Sequence, residues 1–260
     1  MKLIAALLLL LITGVFAYPP GSPMSEFGPN QTALGVYFEQ SGQELYDTAT
    51  SSFLNTAGVN LDYAPWKYFQ LGIFGGGGEL DVNITPGKEN VTNIQRYESD
   101  LTWQFGLSSK LATPRVFNNT TGLVVYGSGE YISTEMNKYF KKTFVYSAGG
   151  SIQIAVLPRL NLVFGGEFYA LDGTQGPTIN GDSKTFSNQD NIRGLIGFEF
   201  YMAGKNRSYI SVAFRPTPNL DWESGHGIKG ASISISLGAI SITSTRGNAE
   251  NGDDEGGNLE

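Results

Sequence analysis

The stretch Leu101 to Leu111, LTWQFGLSSKL, alternates with a single break at Ser109. Leu101, Trp103, Phe105, Leu107 and Leu111 fall on one side, and Thr102, Gln104, Gly106, Ser108 and Lys110 on the other. A period of two places these sets on opposite faces of a β-strand. Segments of this kind recur along the chain, near 31–40, 56–64, 68–82, 97–112, 121–134, 143–157, 160–171, 191–203, 207–215 and 229–244. Their connections alternate in length. Ala64-Pro65-Trp66-Lys67, 114–120, Pro158-Arg159 and Gly204-Lys205-Asn206 are short and carry turn chemistry, whereas 41–55, 83–96, 135–142, 172–190 and 216–228 are longer and polar. A soluble sandwich with Greek-key crossings has no reason to obey such a rule. A transmembrane, antiparallel up-and-down β-barrel does, with short turns at one end, long loops at the other and an even number of strands. The expected fold is therefore all-β, with about ten strands.

The rest of the sequence is compatible with export to a membrane. Residues 1–17, MKLIAALLLLLITGVFA, have a basic start, an apolar stretch and small residues before Tyr18, the pattern of a cleaved secretory signal. No later apolar run approaches the roughly 20 residues that a spanning helix requires. A mature chain that enters a bilayer must then do so as a closed barrel. Residues 18–30 read as a Pro/Gly-rich periplasmic lead-in and 31–245 as the barrel. Residues 246–260 read as an acidic, disordered tail with almost nothing to bury. With no cysteine, stability rests on packing and strand pairing. The formal charge of −7 argues against a nucleic-acid partner.

On these segments the chain resembles the small outer-membrane β-barrel proteins of diderm bacteria, porin-like or of the OmpA and OmpX type. The resemblance spans nearly all of residues 31–244 and rests on pattern, with no fingerprint motif. It implies a bacterial outer-membrane location, a surround of outer-membrane lipid, and insertion by the barrel assembly machinery. It implies a monomer with both termini in the periplasm. The last strand, with Gly230-Ala231-Ser232-Ile233-Ser234-Ile235, resembles the hydrophobic recognition pattern of such barrels only in part, because the chain runs on without a terminal aromatic.

Parity sorts the faces. Phe144, Tyr146, Ile152, Ile154 and Val156, then Leu160, Leu162, Phe164 and Phe168, then Ile192, Ile196, Phe198 and Phe200, and finally Ile210, Val212 and Phe214 form the lipid side. The opposite side collects the candidate lumen-lining residues: Glu98, Asp100, Gln104, Lys110, Gln153, Glu167, Arg193, Glu199 and Arg215, with Ser232, Ser234 and Ser236. None of these charges is in phase with the apolar set, as the cost of about 2–4 kcal/mol for Arg or Lys at the bilayer midplane demands. The segment Leu123-Val124-Val125-Tyr126 is apolar on both parities and stays unassigned. Tyr63, Trp66, Tyr68, Tyr97, Tyr131, Phe168, Tyr201 and Tyr209 near strand ends are candidates for interfacial girdles. Gly75–Gly78 allows a sharp bend or a close backbone approach, and lacks the Lys-Ser/Thr context of a phosphate loop.

Three classes of function follow. About eight strands are just filled by side chains, whereas 16–18 leave a channel. Ten strands therefore predict an interior salt-bridge network with at most a narrow, cation-preferring passage for small polar solutes, or a closed scaffold displaying its loops. Segments 83–96 and 172–190 are the places for a surface ligand. The rival class is a soluble secreted β protein that binds carbohydrate or a protein partner, to which six N-x-S/T sites lend a glycoprotein variant. An outer-membrane hydrolase using His226, in the loop Asp221-Trp222-Glu223-Ser224-Gly225-His226, ranks below both. One histidine and no cysteine give no metal set of recognisable spacing, and no cofactor is called for.

Overall fold

A computed structural model describes residues 28–46, 50–84, 95–98, 101–136, 139–176, 184–188, 191–202, 207–223 and 227–241. Segment 1–17, residues 18–27, Asp100, His226 and the tail 246–260 lie outside them. The described chain is all strand and turn: β1 (Gln31–Tyr46), β2 (Thr50–Trp66), β3 (Phe69–Ile84), β4 (Gln95–Glu98), β5 (Leu101–Ala112), β6 (Thr121–Met136), β7 (Tyr139–Leu157), β8 (Leu160–Gly176), β9 (Lys184–Asn188), β10 (Ile192–Tyr201), β11 (Arg207–Glu223) and β12 (Gly227–Ile240). Ten of these close a ring in the order β1–β2–β3–β5–β6–β7–β8–β10–β11–β12, and β12 returns antiparallel to β1 from Ala33↔Ile240 to Gly42↔Ala231. Every wall pairing is antiparallel, and from β1 to β12 the ring follows chain order with only β4 and β9 set aside, the up-and-down topology expected from the connection lengths.

The strands run further than alternation alone indicates. Segments 41–55 and 135–142 are mostly the paired upper ends of β1, β2, β6 and β7, and 216–228 is largely an extension of β11 and β12. The sequence there loses its apolar/polar alternation, so the period-two signal vanishes while backbone pairing continues. Segments 83–96 and 172–190 likewise contain the ends of β3 and β8 and two short strands. Of these, β4 pairs β3 from Asp81↔Glu98 to Ile84↔Gln95.

The other short strand, β9, changes how the barrel closes at its loop end. The β10–β11 ladder stops at Ile196↔Phe214. The next outward position on β11 is Pro216, which has no N–H to donate. It lies beside Gly194 of β10. Above that point β11 and β12 slip in register between Pro216 and Asp221, around Gly230 at φ 72°. The wall is completed instead by β9, which pairs β8 (Asp172↔Ser187 to Gln175↔Lys184) and reaches β1 at Leu45↔Asn188 and Tyr46↔Ser187.

The outside of the ring is an apolar belt. Leu34, Val36, Phe38, Val59, Trp103, Phe105, Leu107, Phe144, Tyr146, Ile152, Val156, Phe164, Phe168, Ile192, Ile196, Phe198 and Phe200 are all exposed, while Ile154, Leu160, Leu162, Ile210, Val212 and Phe214 are half-buried. On β6 the ambiguity resolves, with Leu123 and Val125 outside and Val124 and Tyr126 inside. The span Trp103 to Leu111 covers eight residue steps, roughly 27 Å along the strand and about 21 Å along the barrel axis at the usual tilt. That is close to the height of a bilayer's apolar band. A closed sheet with such a belt and a polar inside is a membrane-spanning barrel.

Candidate functional site: the filled lumen

The inward parity of each strand builds a core in layers. Near the turn end, Ala33, Ala64, Tyr201, Tyr209 and Ile240 pack together. Tyr201 and Tyr209 are therefore lumenal, not girdle residues, since they share parity with Glu199 and Arg215. The Tyr209 hydroxyl sits 3.4 Å from Asn60 Nδ2, which also donates to Asp62 Oδ2 at 2.7 Å. Tyr63, Trp66 and Phe168 do face outward, as do Tyr131 and Phe144 with ring centroids 5.0 Å apart. Tyr68 sits in the β2–β3 turn at φ 73° with Lys67 over its ring. The side chain of Tyr97 is outside the described residues.

The next layer is polar and crosses the barrel. Glu199 on β10 accepts from Gln153 Nε2 at 3.3 and 3.4 Å, from Asn161 Nδ2 at 3.4 Å and from the Tyr201 hydroxyl at 3.3 Å. Lys110, from the far wall, lies within electrostatic reach of Glu199 and Asp62. The turn 113–120 contributes from below, where Arg115 Nη2 donates to Asn161 Oδ1 at 3.2 Å. Above it, an apolar layer holds Val124, Tyr126, Val163, Leu195 and Ala213.

A second charged layer follows. Arg215 donates through Nη1 to Ser232 Oγ at 3.0 Å and through Nη2 to Ser234 Oγ at 2.9 Å, and its Nη1 lies 3.5 Å from Glu39. Arg193 stands opposite Glu167 across the β8–β10 pair and lies over the Tyr169 ring, 3.3 Å from its centroid. The Gln104 amide hydrogen-bonds Glu130. At the loop end Ile132, Val145, Tyr169, Leu171 and Phe186 form a cap, with Lys141 Nζ 4.5 Å from the Phe186 ring centroid. Phe186 comes from β9, which the Asn188 side chain fastens to the Leu171 N–H at 2.8 Å.

The structure thus places Gln104, Lys110, Gln153, Glu167, Arg193, Glu199 and Arg215 inside, nearly all with negligible exposure, and Ser232, Ser234 and Ser236 with them. Asp100 and the Glu98 side chain fall outside the described residues. Sequence reasoning passed over Glu39, Asp62, Glu130 and Lys141, which share these layers. Glu39 has the parity of Tyr37 and Asp62 that of Asn60, so alternation carried the signal in both. The balance decides what the site does. Lys110, Glu199 and Arg215 are at most 2% exposed although they project from different walls of a ten-stranded ring. An aqueous bore would leave such groups wet.

No protein-family model and no characterised protein matches the sequence. Among solved structures, the chain is similar to the outer membrane protease OmpT of Escherichia coli (9% identity, 83% of this chain and 98% of that one, TM-score 0.43). It is similar also to the translocator domain of the autotransporter NalP of Neisseria meningitidis (10% identity, 84% and 90%, TM-score 0.46). A third is an outer membrane channel of Pseudomonas putida F1 (11% identity, 86% and 100%, TM-score 0.45). These proteins differ in activity, and the architecture of this chain rests on its own strand pairing.

Proposed function

We propose that this chain is a bacterial outer-membrane barrel whose lumen is shut by its own polar core, and that it serves as a rigid scaffold for its extracellular rim. The observation that carries this reading is the burial of Lys110, Glu199 and Arg215 among polar and charged partners on the inner wall. Desolvated charges are tolerated only when paired and hydrogen-bonded, which requires a lumen packed with protein. The secretory signal in residues 1–17 supplies export, the apolar belt binds outer-membrane lipid, and insertion falls to the barrel assembly machinery. Recognition of a surface ligand then belongs to the rim built from β4, β9 and segments 83–96 and 172–190. Loops on a rigid scaffold are where binding residues concentrate.

The test is conductance of the refolded mature chain in planar bilayers. Insertion without steps agrees with the closed scaffold. Regular cation-selective steps, altered by neutralising Glu167 or Glu199, would return the protein to the narrow porin-like class.

A further inference from the structure

Charge is distributed unequally between the two ends of the barrel. At the turn end, Lys67 in the β2–β3 turn and Arg159 in the β7–β8 turn are exposed, and Arg115 in the β5–β6 turn is half-buried. The β10–β11 connection adds Lys205 in sequence, followed by Arg207. No acid interrupts 63–71, 111–123, 155–161, 200–210 or 238–246. Among the described residues, the carboxylates of this level are Asp62 and Glu199, both buried in the lumen. The loop end is mixed instead, with Glu79, Asp172 and Lys142 all exposed. Successive turns around the ring are two strands apart, roughly 10 Å at ordinary spacing, so their bases form a collar.

Each base has exposed apolar company. Trp66, 65% exposed, precedes Lys67; Val116 and Phe117, the latter 78% exposed, follow Arg115; Leu157 stands two residues before Arg159. Met202, also exposed, precedes the turn that carries Lys205. Phe117 is the most informative of these. It sits at φ 50°, with Asn118 and Asn119 also left-handed, a conformation that bulky residues rarely adopt. In water, nothing around the bare ring would offset that backbone cost. At a membrane boundary its burial does, because aromatic rings there settle at headgroup level. The turns stand at that boundary, since Lys67, Arg115 and Arg159 lie within four residues of the outward belt residues Leu71, Leu111 and Val156.

We propose that this turn-end collar binds the anionic phospholipid headgroups of the periplasmic leaflet, each base meeting a phosphate while its apolar neighbour dips beside the acyl chains. The proposal needs the membrane-spanning barrel but not a closed lumen. Lys and Arg near such a surface favour anionic over zwitterionic lipid, and the attraction falls off within a Debye length. The acidic segment 247–260 carries the matching charge, but its apolar side chains are Ala249 and Leu259 alone, so it offers Trp66 and Phe117 little to pack on. A lipid surface meets both requirements. The consequence is an annulus of anionic lipid at one end of the barrel.

The experiment refolds the mature chain into vesicles of phosphatidylcholine and phosphatidylglycerol, with the barrel checked by heat-modifiable gel mobility. Trp103→Phe with Trp222→Phe leaves Trp66 as the sole tryptophan, at the turn end. Brominating one lipid or the other near its headgroup then reads, by quenching, their relative association constant at the collar. At low salt Trp66 is expected to favour phosphatidylglycerol about fivefold, the factor that one base near an anionic surface supplies. Lys67→Gln/Arg115→Gln/Arg159→Gln, or high salt, is expected to bring the ratio close to one. Lys67→Gln/Arg159→Gln, which spares the Arg115–Asn161 hydrogen bond, is expected to remove most of the preference even where the triple variant fails to insert. A ratio near one in the inserted reporter with its bases intact would overturn the proposal, as would an undiminished ratio in the variants. A preference that emerges only when 246–260 is deleted would overturn it too, by making the tail the occupant.

Discussion

Replacing Glu199 with leucine is the sharpest probe of the packed lumen. The carboxylate is fully buried and accepts from Gln153, Asn161 and Tyr201 at 3.3–3.4 Å, with Lys110 facing it across the barrel. Hydrogen bonds to a charged acceptor contribute about 1.5–3 kcal/mol each at good geometry, and these long ones fall nearer 1 kcal/mol. Losing three, and leaving the buried Lys110 ammonium with Asp62 as its remaining counter-charge, totals about 3–5 kcal/mol, the range seen when one partner of a buried pair is removed. Glu199→Gln preserves shape and part of the hydrogen bonding, so about 1–2 kcal/mol is expected there. Urea unfolding in lipid vesicles reads the difference through tryptophan fluorescence, since Trp66 and Trp103 face the exterior. A Glu199→Leu variant within 1 kcal/mol of wild type would mean that water screens the lumen at this level, and the closed-barrel reasoning would fall.

Two further outcomes test the wall. Leu107, midway along the outward run of β5, sits near the centre of the apolar belt, so Leu107→Lys is expected to cost about 2–4 kcal/mol in vesicles; an unchanged unfolding curve would remove the lipid from that face. Leu45→Cys combined with Asn188→Cys, in a chain without cysteines, places a thiol pair at directly opposed positions of β1 and β9. Oxidation should yield a cross-link that survives denaturing gels as a mobility shift, and its absence in the folded barrel would refute the β9–β1 closure.

Much of this architecture is legible because lipid outside and polar groups inside impose one rule on every strand. Strand β5 shows the rule plainly, and the inward set Gln104, Lys110, Gln153, Glu167, Arg193, Glu199 and Arg215 follows from it. The rule fades where both faces meet similar surroundings. In 41–55 the sequence loses its alternation, so β1 and β2 run several residues past their legible ends. In β6, Val124 and Tyr126 join an apolar interior layer, and parity becomes visible only through Ser128 and Glu130 further along. Nearness to strand ends makes Tyr201 and Tyr209 girdle candidates, while their phase with Glu199 and Arg215 puts them inside. For β9 the single cue is Phe186, a lone aromatic in a polar stretch. Its partner β1 lies too far away in sequence for any local pattern to announce.

That distance has a kinetic consequence. The β9–β1 clasp joins Leu45 to Asn188, and the ring itself joins Gly42 to Ala231, so neither contact can form before nearly the whole chain is in place. Loop-closure entropy must be met before such remote pairings return anything, which makes them slow. The clasp has only two residue pairs and no continuous ladder beneath it, because β10 and β11 part at Pro216. Zipping of the barrel therefore finishes at this corner of the loop end. Hydrogen exchange should find the same corner opening first, with Leu45, Tyr46, Ser187 and Asn188 losing protection ahead of the central strands.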